Sequence, residues 1–256
     1  MVERDFHLTM NSYSYPKIDG QLINICNISE ALYQINTRLK EARGFTFFTL
    51  NLDHLVKRRD NQAFLLAYHS SDFVCADGFP IVLLSRLKGY EIERTTGADL
   101  LRPLCQIAAE QNIPIYLFGS TKKSLNKATS QLKFEYPNLL ICGALSPSMN
   151  FSAYSAESDL CADMIAKSGA ALCFVLLGAP KQELFAYRQS KRYPNIGFLC
   201  LGAALDFISK EQIRAPLLFQ KLNMEWAWRL ILNPKRMASR YFKCALLFMK
   251  LLLRNK

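Results

Sequence analysis

The segment that most restricts the fold is Leu172–Glu183, which reads L-C-F-V-L-L-G-A-P-K-Q-E. Six consecutive apolar residues are typical of a strand buried on both faces, as in a parallel sheet. Gly178 permits a tight turn, and Pro180 suits the first turn of a following helix. Because ligands bind beyond the carboxyl ends of parallel strands, a site is predicted here. The polar residues placed at it are Lys181, Gln182 and Glu183. The alternative is an ordinary strand–helix turn with solvated side chains.

The rest of the chain alternates apolar strands with helices, which indicates βαβ units and a mostly parallel sheet. The predicted strands are Gln21–Ile25, Phe45–Leu50, Asp72–Ala76, Ile113–Phe118, Leu139–Cys142, Leu172–Leu177 and Gly197–Leu201. The predicted helices are Ser29–Ala42, Asp60–Ser70, Pro80–Lys88, Leu100–Gln111, Lys122–Phe134, Glu157–Lys167 and Lys181–Arg192. The chain of 256 residues is long enough for one large α/β domain, with or without an appendage.

The C-terminal tail differs from the rest of the chain in charge. The net charge is +11, and Lys221–Lys256 contributes most of it, with nine Lys or Arg and one acid, Glu225. Such a tail is expected to seek an anionic surface, either nucleic acid or an acidic membrane leaflet. We therefore assign residues 1–215 to the α/β domain and residues 216–256 to a basic, amphipathic helical appendage.

The last predicted helix runs from Pro234 to about Leu253 and follows a segment that carries both tryptophans, Trp226 and Trp228. Its basic residues fall on one helical stripe and its apolar residues on the opposite side. The basic residues are Arg236, Arg240, Lys243, Lys250 and Arg254, and the apolar ones include Met237, Tyr241, Ala245, Phe248 and Leu252. This pattern is typical of a helix at an anionic membrane surface. The alternative is packing on the domain core or on another subunit of a homo-oligomer.

Several classes of protein are not supported by the sequence. No stretch reaches the roughly 18 apolar residues of a membrane span, and residues 1–20 lack the apolar core of a signal peptide. The eight cysteines have no C-x-x-C spacing, which favours reduced thiols in a cytoplasmic protein. The glycine-rich phosphate motifs are absent, and neither a D-x-D pair nor a histidine pair has metal-ligand spacing. We therefore expect no metal and no cofactor.

Polar residues follow three of the predicted strands. Thr49 and Asn51 stand at the end of one strand, and Asp77 directly follows another. Partial burial raises the pKa of a carboxyl group and makes it a better general base, which makes Asp77 a catalytic candidate. The alternative is that Asp77 and Gly78 only form a turn. Arg94 and Arg214 could meet phosphates, although for either arginine alone an ordinary surface charge is the favoured interpretation.

Eight motifs occur in an order and spacing that resemble one known family. They are Thr49–Asn51, Ala76–Gly78, Arg94–Leu100, Leu117–Gly119, Leu177–Glu183, Leu201–Phe207, Arg214–Pro216 and Met224–Leu230. The chain resembles the WecG/TagA/CpsF family of bacterial glycosyltransferases over about residues 20–245. The resemblance implies a Rossmann-like α/β domain, with helices on both faces of the sheet, and a C-terminal appendage that contacts the inner face of the cell membrane.

The resemblance also implies an activity. The expected reaction is an inverting, metal-independent transfer of a hexose from UDP to a saccharide on a polyprenyl diphosphate, in cell-surface polysaccharide synthesis. Asp77 would be the general base, with Thr49 and Asn51 in the same pocket. The implied substrate-binding residues are Arg94, Asp99, Gly119, Gly178, Lys181, Gln182, Glu183, Asp206, Arg214, Arg229, Arg236 and Arg240. Nucleic acid is not an expected partner.

Three segments depart from the family pattern near the donor pocket. They are Met149–Phe151, Gly202–Ala203 and Ser209–Lys210. The sugar therefore stays open among N-acetylmannosamine, its uronic acid, glucose and other hexoses. Two other functions stay open as well: a non-enzymatic, basic nucleotide- or nucleic-acid-binding protein, and a nucleotide-binding hydrolase.

Overall fold

The computed structural model describes residues 15–212, 215–216, 218–219 and 224–254. Its strands are β1 Lys17–Ile18, β2 Gln21–Leu22, β3 Phe45–Leu50, β4 Phe73–Ala76, β5 Ile115–Gly119, β6 Ile141–Leu145, β7 Leu172–Leu176 and β8 Gly197–Cys200. Its helices are α1 Ile28–Lys40, α2 Leu52–Arg59, α3 Gln62–His69, α4 Phe79–Arg86, α5 Gly97–Glu110, α6 Lys122–Glu135, α7 Ala156–Lys167, α8 Lys181–Arg192, α9 Ala204–Ile208, α10 Glu225–Leu232 and α11 Pro234–Arg254.

Six of the strands form one parallel sheet in the order β4-β3-β8-β7-β5-β6. Strands β1 and β2 form a separate antiparallel pair. Strands β5 and β7 are neighbours in this sheet. From β5 the chain continues to β6, away from β7, and from β7 it continues to β8, away from β5. The carboxyl ends of β5 and β7 therefore flank a topological switch point, where ligands of open α/β sheets bind. The predicted α/β, Rossmann-like architecture is confirmed.

Two apolar clusters cover the two faces of the sheet. One contains Phe48 and Leu50 of β3 with buried residues of α2, α3, α4, α7 and α8. The other contains Phe45 and Phe47 with buried residues of α1, α5, α6 and α9. Alternate residues of β3 thus face opposite clusters, as the pleat requires. Every residue of β3, β4, β5, β7 and β8 is buried, which explains why these strands are largely apolar in sequence, with Thr46 and Thr49 of β3 as buried polar residues.

Most predicted elements are present, and two of them, Phe45–Leu50 and Lys181–Arg192, have the predicted bounds. Helices α2 and α9 were not predicted. The sixth strand lies at Ile141–Leu145, two residues later than expected, because Leu139 and Leu140 precede it in a loop. The predicted strand Gln21–Ile25 forms a strand only at its first two residues, and Ile25 makes an isolated parallel bridge to Cys75 of β4. These differences move the ends of elements but do not change the order of the fold.

The appendage contains α10 and α11, and α11 packs across α2 and α4. Cys244, Leu247 and Leu251 of α11 join the core cluster beneath it. Phe248 and Leu252 pack partly against the same cluster, whereas Ala245 is exposed. The division of the chain at residue 216 stays a prediction. Among the described residues, no helix is both long enough and apolar enough to cross a bilayer.

A second apolar face of α11 points to solvent. It consists of four exposed side chains at helical spacing, Phe242, Leu246, Met249 and Leu253, which we call the exposed stripe. Lys243, Lys250 and Arg254 are exposed beside it. The predicted amphipathic helix therefore has apolar residues on two faces, one packed on the domain and one facing solvent.

Candidate active site

The carboxyl ends of β4, β3, β8, β7 and β5 lie along one edge of the sheet, which we call the rim. They are followed by Asp77, Asn51, Gly202, Gly178 and Ser120 respectively. Strands β4 and β7 are three strand spacings apart, or about 14 Å. The sheet therefore brings together candidates as distant in the sequence as Asn51 and Gln182.

Asp77 leaves β4 at the rim and is half-buried. Its backbone N–H donates to the carbonyl oxygen of Leu50 at 2.7 Å, which joins the ends of β4 and β3. Gly78 follows with a φ of +112°, a backbone conformation that favours glycine, and α4 begins at the next residue. Burial, and then the nearby Asp77 carboxylate, raise the pKa of the Cys75 thiol well above its usual value. Asp77 therefore follows the end of β4 at the rim and leads through Gly78 into α4.

Asn51 and Thr49 stand at the end of β3, next to Asp77. The Asn51 side chain accepts a hydrogen bond from the backbone N–H of His54 at 3.0 Å and so caps α2. Its Nδ2 lies 3.4 Å from Nε2 of His54. Thr49 is buried, and its carbonyl oxygen accepts from the hydroxyl of Tyr68 at 3.3 Å. Both predicted residues are therefore tied to a buried polar network that includes His54 and Tyr68.

Gln182 and Glu183 begin α8 and are both buried, whereas Lys181 is exposed. Nε2 of Gln182 donates to Oε1 of Glu183 at 2.8 Å, and Oε1 of Gln182 accepts from the backbone N–H of Gly202 at 3.1 Å. Oε1 of Glu183 also lies 3.9 Å from Nδ1 of His54. Because Glu183 is completely buried, the structure places it behind Gln182, while Lys181 faces the solvent side of the rim.

Burial shifts the pKa values of two groups in this network in opposite directions. It lowers the pKa of His54 from 6.5 to about 3 and raises the pKa of Glu183 from 4.5 to about 7. Between pH 4.5 and 6.5 the folded protein holds a proton on Glu183 that the unfolded chain releases, so Glu183 makes stability fall as pH rises. In the same range the unfolded chain protonates His54 and the folded protein does not, so His54 makes stability rise with pH.

The Glu183→Gln variant should expose the contribution of His54. We expect its free energy of unfolding to rise with pH more steeply than that of the wild type between pH 4.5 and 6.5, by up to about 1.4 kcal/mol per pH unit. Urea denaturation at half-unit intervals of pH measures both slopes. Equal slopes in the two proteins would show that Glu183 does not take up a proton on folding in this range.

The far end of the rim is shaped by two glycines and a carboxylate. A Cβ at Gly119 would lie 2.6 Å from the backbone of Leu176, and Gly119 has a φ of +116°. Beyond it, Ser120 donates through Oγ to Oδ1 of Asp206 at 2.6 Å. A Cβ at Gly178 would have no neighbouring atom within 4 Å, so the turn after β7 is open. Asp206, one of the substrate-binding residues that the family resemblance implies, therefore lies beside the switch point.

Asp99 has a local structural role. Its carboxylate accepts from the hydroxyl of Thr96 at 2.7 Å, and its backbone N–H donates back to that hydroxyl oxygen at 3.2 Å. The two residues form a capping box at the start of α5. Gly97 in this turn allows α5 to approach the backbone of Leu201 closely, since a Cβ there would lie 2.6 Å from the carbonyl oxygen of Leu201.

The predicted arginines are described only in part. Arg94 forms an ion pair with Glu225 of α10 at 3.0 Å, and Arg240 of α11 forms one with buried Asp53 at 2.9 Å. These two contacts attach the appendage beside the rim. Arg214 lies outside the described residues. Arg229 and Arg236 fall within α10 and α11, but their side chains also lie outside what the structure describes.

Helix α2 links the appendage to the turn after β7 through Asp53 and Lys57. Lys57 lies 2.8 Å from Asp53, the partner of Arg240, and donates to the carbonyl oxygen of Ala179 at 3.0 Å. Asp53, His54 and Lys57 all belong to α2, a helix that was not predicted. Asn51 three residues before His54 is a helix-capping signal that could have revealed it.

Metal-binding groups are not clustered in the described residues. No group of three or more His, Cys, Asp or Glu in this part of the chain could hold a metal ion. All eight cysteines are free thiols, and Cys75, Cys173 and Cys200 are completely buried. These cysteines behave as small apolar core residues.

Comparisons with known proteins give a consistent result. The model of the family described as "Glycosyl transferase WecG/TagA/CpsF family" matches residues 17–256. An N-acetylglucosaminyldiphosphoundecaprenol N-acetyl-beta-D-mannosaminyltransferase of Bacillus subtilis (strain 168) is 29% identical over 235 residues, which cover 90% of this chain and 88% of that protein. A protein with the same name from Bacillus spizizenii is 27% identical over 220 residues, or 86% of this chain and 81% of the relative.

Proposed function

The chain belongs to the WecG/TagA/CpsF family of glycosyltransferases, and on that premise we propose that it transfers a hexose-type sugar from UDP to a saccharide on a polyprenyl diphosphate. Both similar proteins are named for transfer of an N-acetylmannosaminyl group to a lipid diphosphate sugar, so N-acetylmannosamine is the first donor sugar to test. The observation that carries the proposal is the rim, where Asp77, Asn51 and Gln182 follow strands of one parallel sheet beneath a basic appendage. Such an enzyme serves cell-surface polysaccharide synthesis.

In the proposed mechanism, Asp77 takes the proton from the acceptor hydroxyl group. The oxygen then attacks the anomeric carbon, the bond from that carbon to the diphosphate oxygen breaks, and UDP leaves from the opposite face. One displacement of this kind inverts the anomeric configuration. The half-buried position of Asp77 directly after β4 supports its role, because it puts the carboxyl group at the rim, where ligands of parallel sheets bind.

The departing diphosphate needs positive groups in place of bulk water. The open turn at Gly178 and the start of α8 offer backbone N–H groups and the exposed Lys181 beside the switch point. Arg94 and Arg240 border the same rim but are paired with Glu225 and Asp53, so each would exchange a carboxylate for a phosphate on substrate binding. Asp206 would meet the nucleoside side of UDP.

We place the acceptor lipid on the side of the appendage. The exposed stripe on α11 combines four large apolar side chains with neighbouring lysines, which suits insertion into an anionic leaflet. The protein would then act as a peripheral enzyme on the inner face of the cell membrane. Charge complementarity supports lipid over a second copy of this chain, since two such basic helices would repel each other.

The activity can be tested with a panel of UDP-sugars and a synthetic lipid diphosphate N-acetylglucosamine acceptor. We expect transfer from UDP-N-acetylmannosamine that persists in EDTA, with the new linkage of β configuration by NMR. Strict dependence on a divalent metal, or retention of configuration, would contradict the mechanism. Release of free sugar without an acceptor would instead support the hydrolase, and salt-sensitive binding to nucleic acid without turnover would support the binding protein.

A further inference from the structure

Glu183 is a buried ionisable group that the proposed mechanism leaves unused. It is the third residue of α8 and is 0% exposed. Its Oε1 accepts from Gln182, whose own Oε1 accepts from Gly202 at the end of β8. The Gln182 amide is therefore held at both ends, between α8 and β8. Among the described residues, the second hydrogen on Nε2 of Gln182 has no acceptor.

Packing alone gives no reason for a carboxyl group at this position. Oε2 of Glu183 is buried and has no hydrogen-bond partner in the described part of the chain. A buried oxygen without a partner is unfavourable compared with an apolar side chain of similar shape. The side chain that donates directly to the carboxyl group is Gln182, which lies at the rim. The position of that amide is therefore what the carboxyl group secures.

A second arm of the same network holds the end of β3. Nδ1 of His54 lies 2.6 Å from the hydroxyl of Tyr68, which donates to the carbonyl oxygen of Thr49. With the proton on Nδ1, the imidazole donates to Tyr68 and accepts from Asn51 through Nε2, so every group in this arm has a partner. Glu183 and His54 lie next to each other, with 3.9 Å between Oε1 and Nδ1, and the hydrogen bonds of the two arms end at Gln182 and Asn51.

We propose that Glu183 is a positioning residue for sugar transfer, which fixes the Gln182 amide between the ends of β7 and β8 and directs its remaining N–H toward the donor. This inference rests on the proposed function, because it assigns a role within the same site. Glu183 itself does not contact the substrate. Its effect passes through Gln182 and depends on hydrogen-bond acceptance by Oε1.

Two substitutions separate positioning from packing. Glu183→Gln retains an acceptor oxygen for Gln182, whereas Glu183→Met fills a similar volume without one. We expect Glu183→Met to lower kcat by about 10- to 100-fold, since small misplacements of substrate-contacting groups have effects of this size. Glu183→Gln should retain most of the turnover. Gln189→Leu is the matched control, because Gln189 is a buried polar residue of the same helix that contacts Ser158 and Asp159 instead of the rim.

The control decides what a loss of turnover means. Thermal unfolding of all three variants measures their stability, and Gln189→Leu should lose stability with little change in kcat. The inference is overturned if Glu183→Met turns over at the wild-type rate, if Glu183→Gln is as slow as Glu183→Met, or if Gln189→Leu loses as much kcat as Glu183→Met.

A measurement that needs no turnover keeps the inference separate from the proposed function. The side-chain amide signal of Gln182 in NMR spectra should shift with pH as Glu183 ionises near pH 7 in the wild type, and should not do so in Glu183→Gln. The other ionisable groups around the carboxyl are His54, Asp53 and Lys57 of α2, Tyr68 of α3 and Cys200 of β8. An identical titration in both proteins would show that Glu183 does not hold the amide. If no UDP-sugar is turned over but the signal behaves as expected, only the proposed function fails.

Discussion

Asp77→Asn should lower kcat by about 10²- to 10⁴-fold, the contribution that is typical of a general base. The amide has nearly the shape of the carboxylate but cannot take the proton from the acceptor hydroxyl. We expect UDP to bind to this variant with wild-type affinity, because the diphosphate groups are placed near β7 and the appendage and not at β4. Steady-state kinetics on the lipid acceptor and calorimetric titration with UDP measure the two effects.

A matched control is available on the same strand segment. Asp72 stands at the amino end of β4, on the opposite edge of the sheet, where its carboxylate accepts from the backbone N–H of Thr46 and pairs with Arg38. Asp72→Asn removes an equal charge and should alter stability without a comparable loss of kcat. Near-wild-type turnover in Asp77→Asn would remove Asp77 from the role of base. Equal losses in both variants would point to a general effect of charge or folding.

Replacement of all four residues of the exposed stripe by serine should reduce binding to anionic vesicles by roughly 100-fold or more. Full burial of each such side chain stabilises binding by about 1.5–3 kcal/mol. Four half-buried side chains would therefore contribute at least about 3 kcal/mol, and a 100-fold change in binding requires about 2.7 kcal/mol. Flotation with vesicles of phosphatidylglycerol and phosphatidylcholine measures the partition coefficient. High salt should weaken wild-type binding only in part, because Lys243, Lys250 and Arg254 supply the electrostatic share.

The matched control uses exposed apolar residues of the same types elsewhere on the domain. These are Phe134, Leu140, Met149 and Leu160. Their replacement by serine should leave vesicle binding unchanged. Loss of binding in both variants would show that the stripe has no special role. A different result would assign the stripe to a subunit interface: the stripe variant floats with vesicles as the wild type does, and light scattering shows a dimer for the wild type but a monomer for the variant.

Local sequence patterns were sufficient for most of the core. The strand Phe45–Leu50 and the helix Lys181–Arg192 have the predicted bounds, because an apolar run and an amphipathic period are local signals. Helix α2 was missed because its segment is strongly polar and its residues Asp53, His54 and Arg58 are buried nonetheless. Leu52, Leu55 and Val56 give the helix only a short apolar period, and the burial of its polar residues depends on partners in other parts of the chain.

The residues of the rim, like most of the core, were predictable from local sequence patterns. Residues that follow apolar strands must meet at one edge of a parallel sheet, so Asn51, Asp77 and Gln182 could be grouped from sequence. The contacts that residues at or beside the rim make with other parts of the chain could not be predicted in this way. The Thr96-x-x-Asp99 spacing is a local capping signal, but the ion pair between Arg240 and Asp53 has no signal in the spacing of charged residues. Such pairings depend on which helices pack together, and α11, at the far end of the chain, crosses α2.

By itself, the sequence determined the α/β class, the polar residues at the strand ends and the basic character of the tail, because periodicity, turn residues and charge are local properties. Tertiary structure decided the strand order, the complete burial of Glu183 and the face of α11 that stays in solvent. The physical reason is that desolvation and hydrogen bonding depend on neighbours in space. A glutamate carboxyl group on the surface of a protein is a solvated acid. The carboxyl group of Glu183, beneath Gln182, is buried, and its pKa is close to neutral pH.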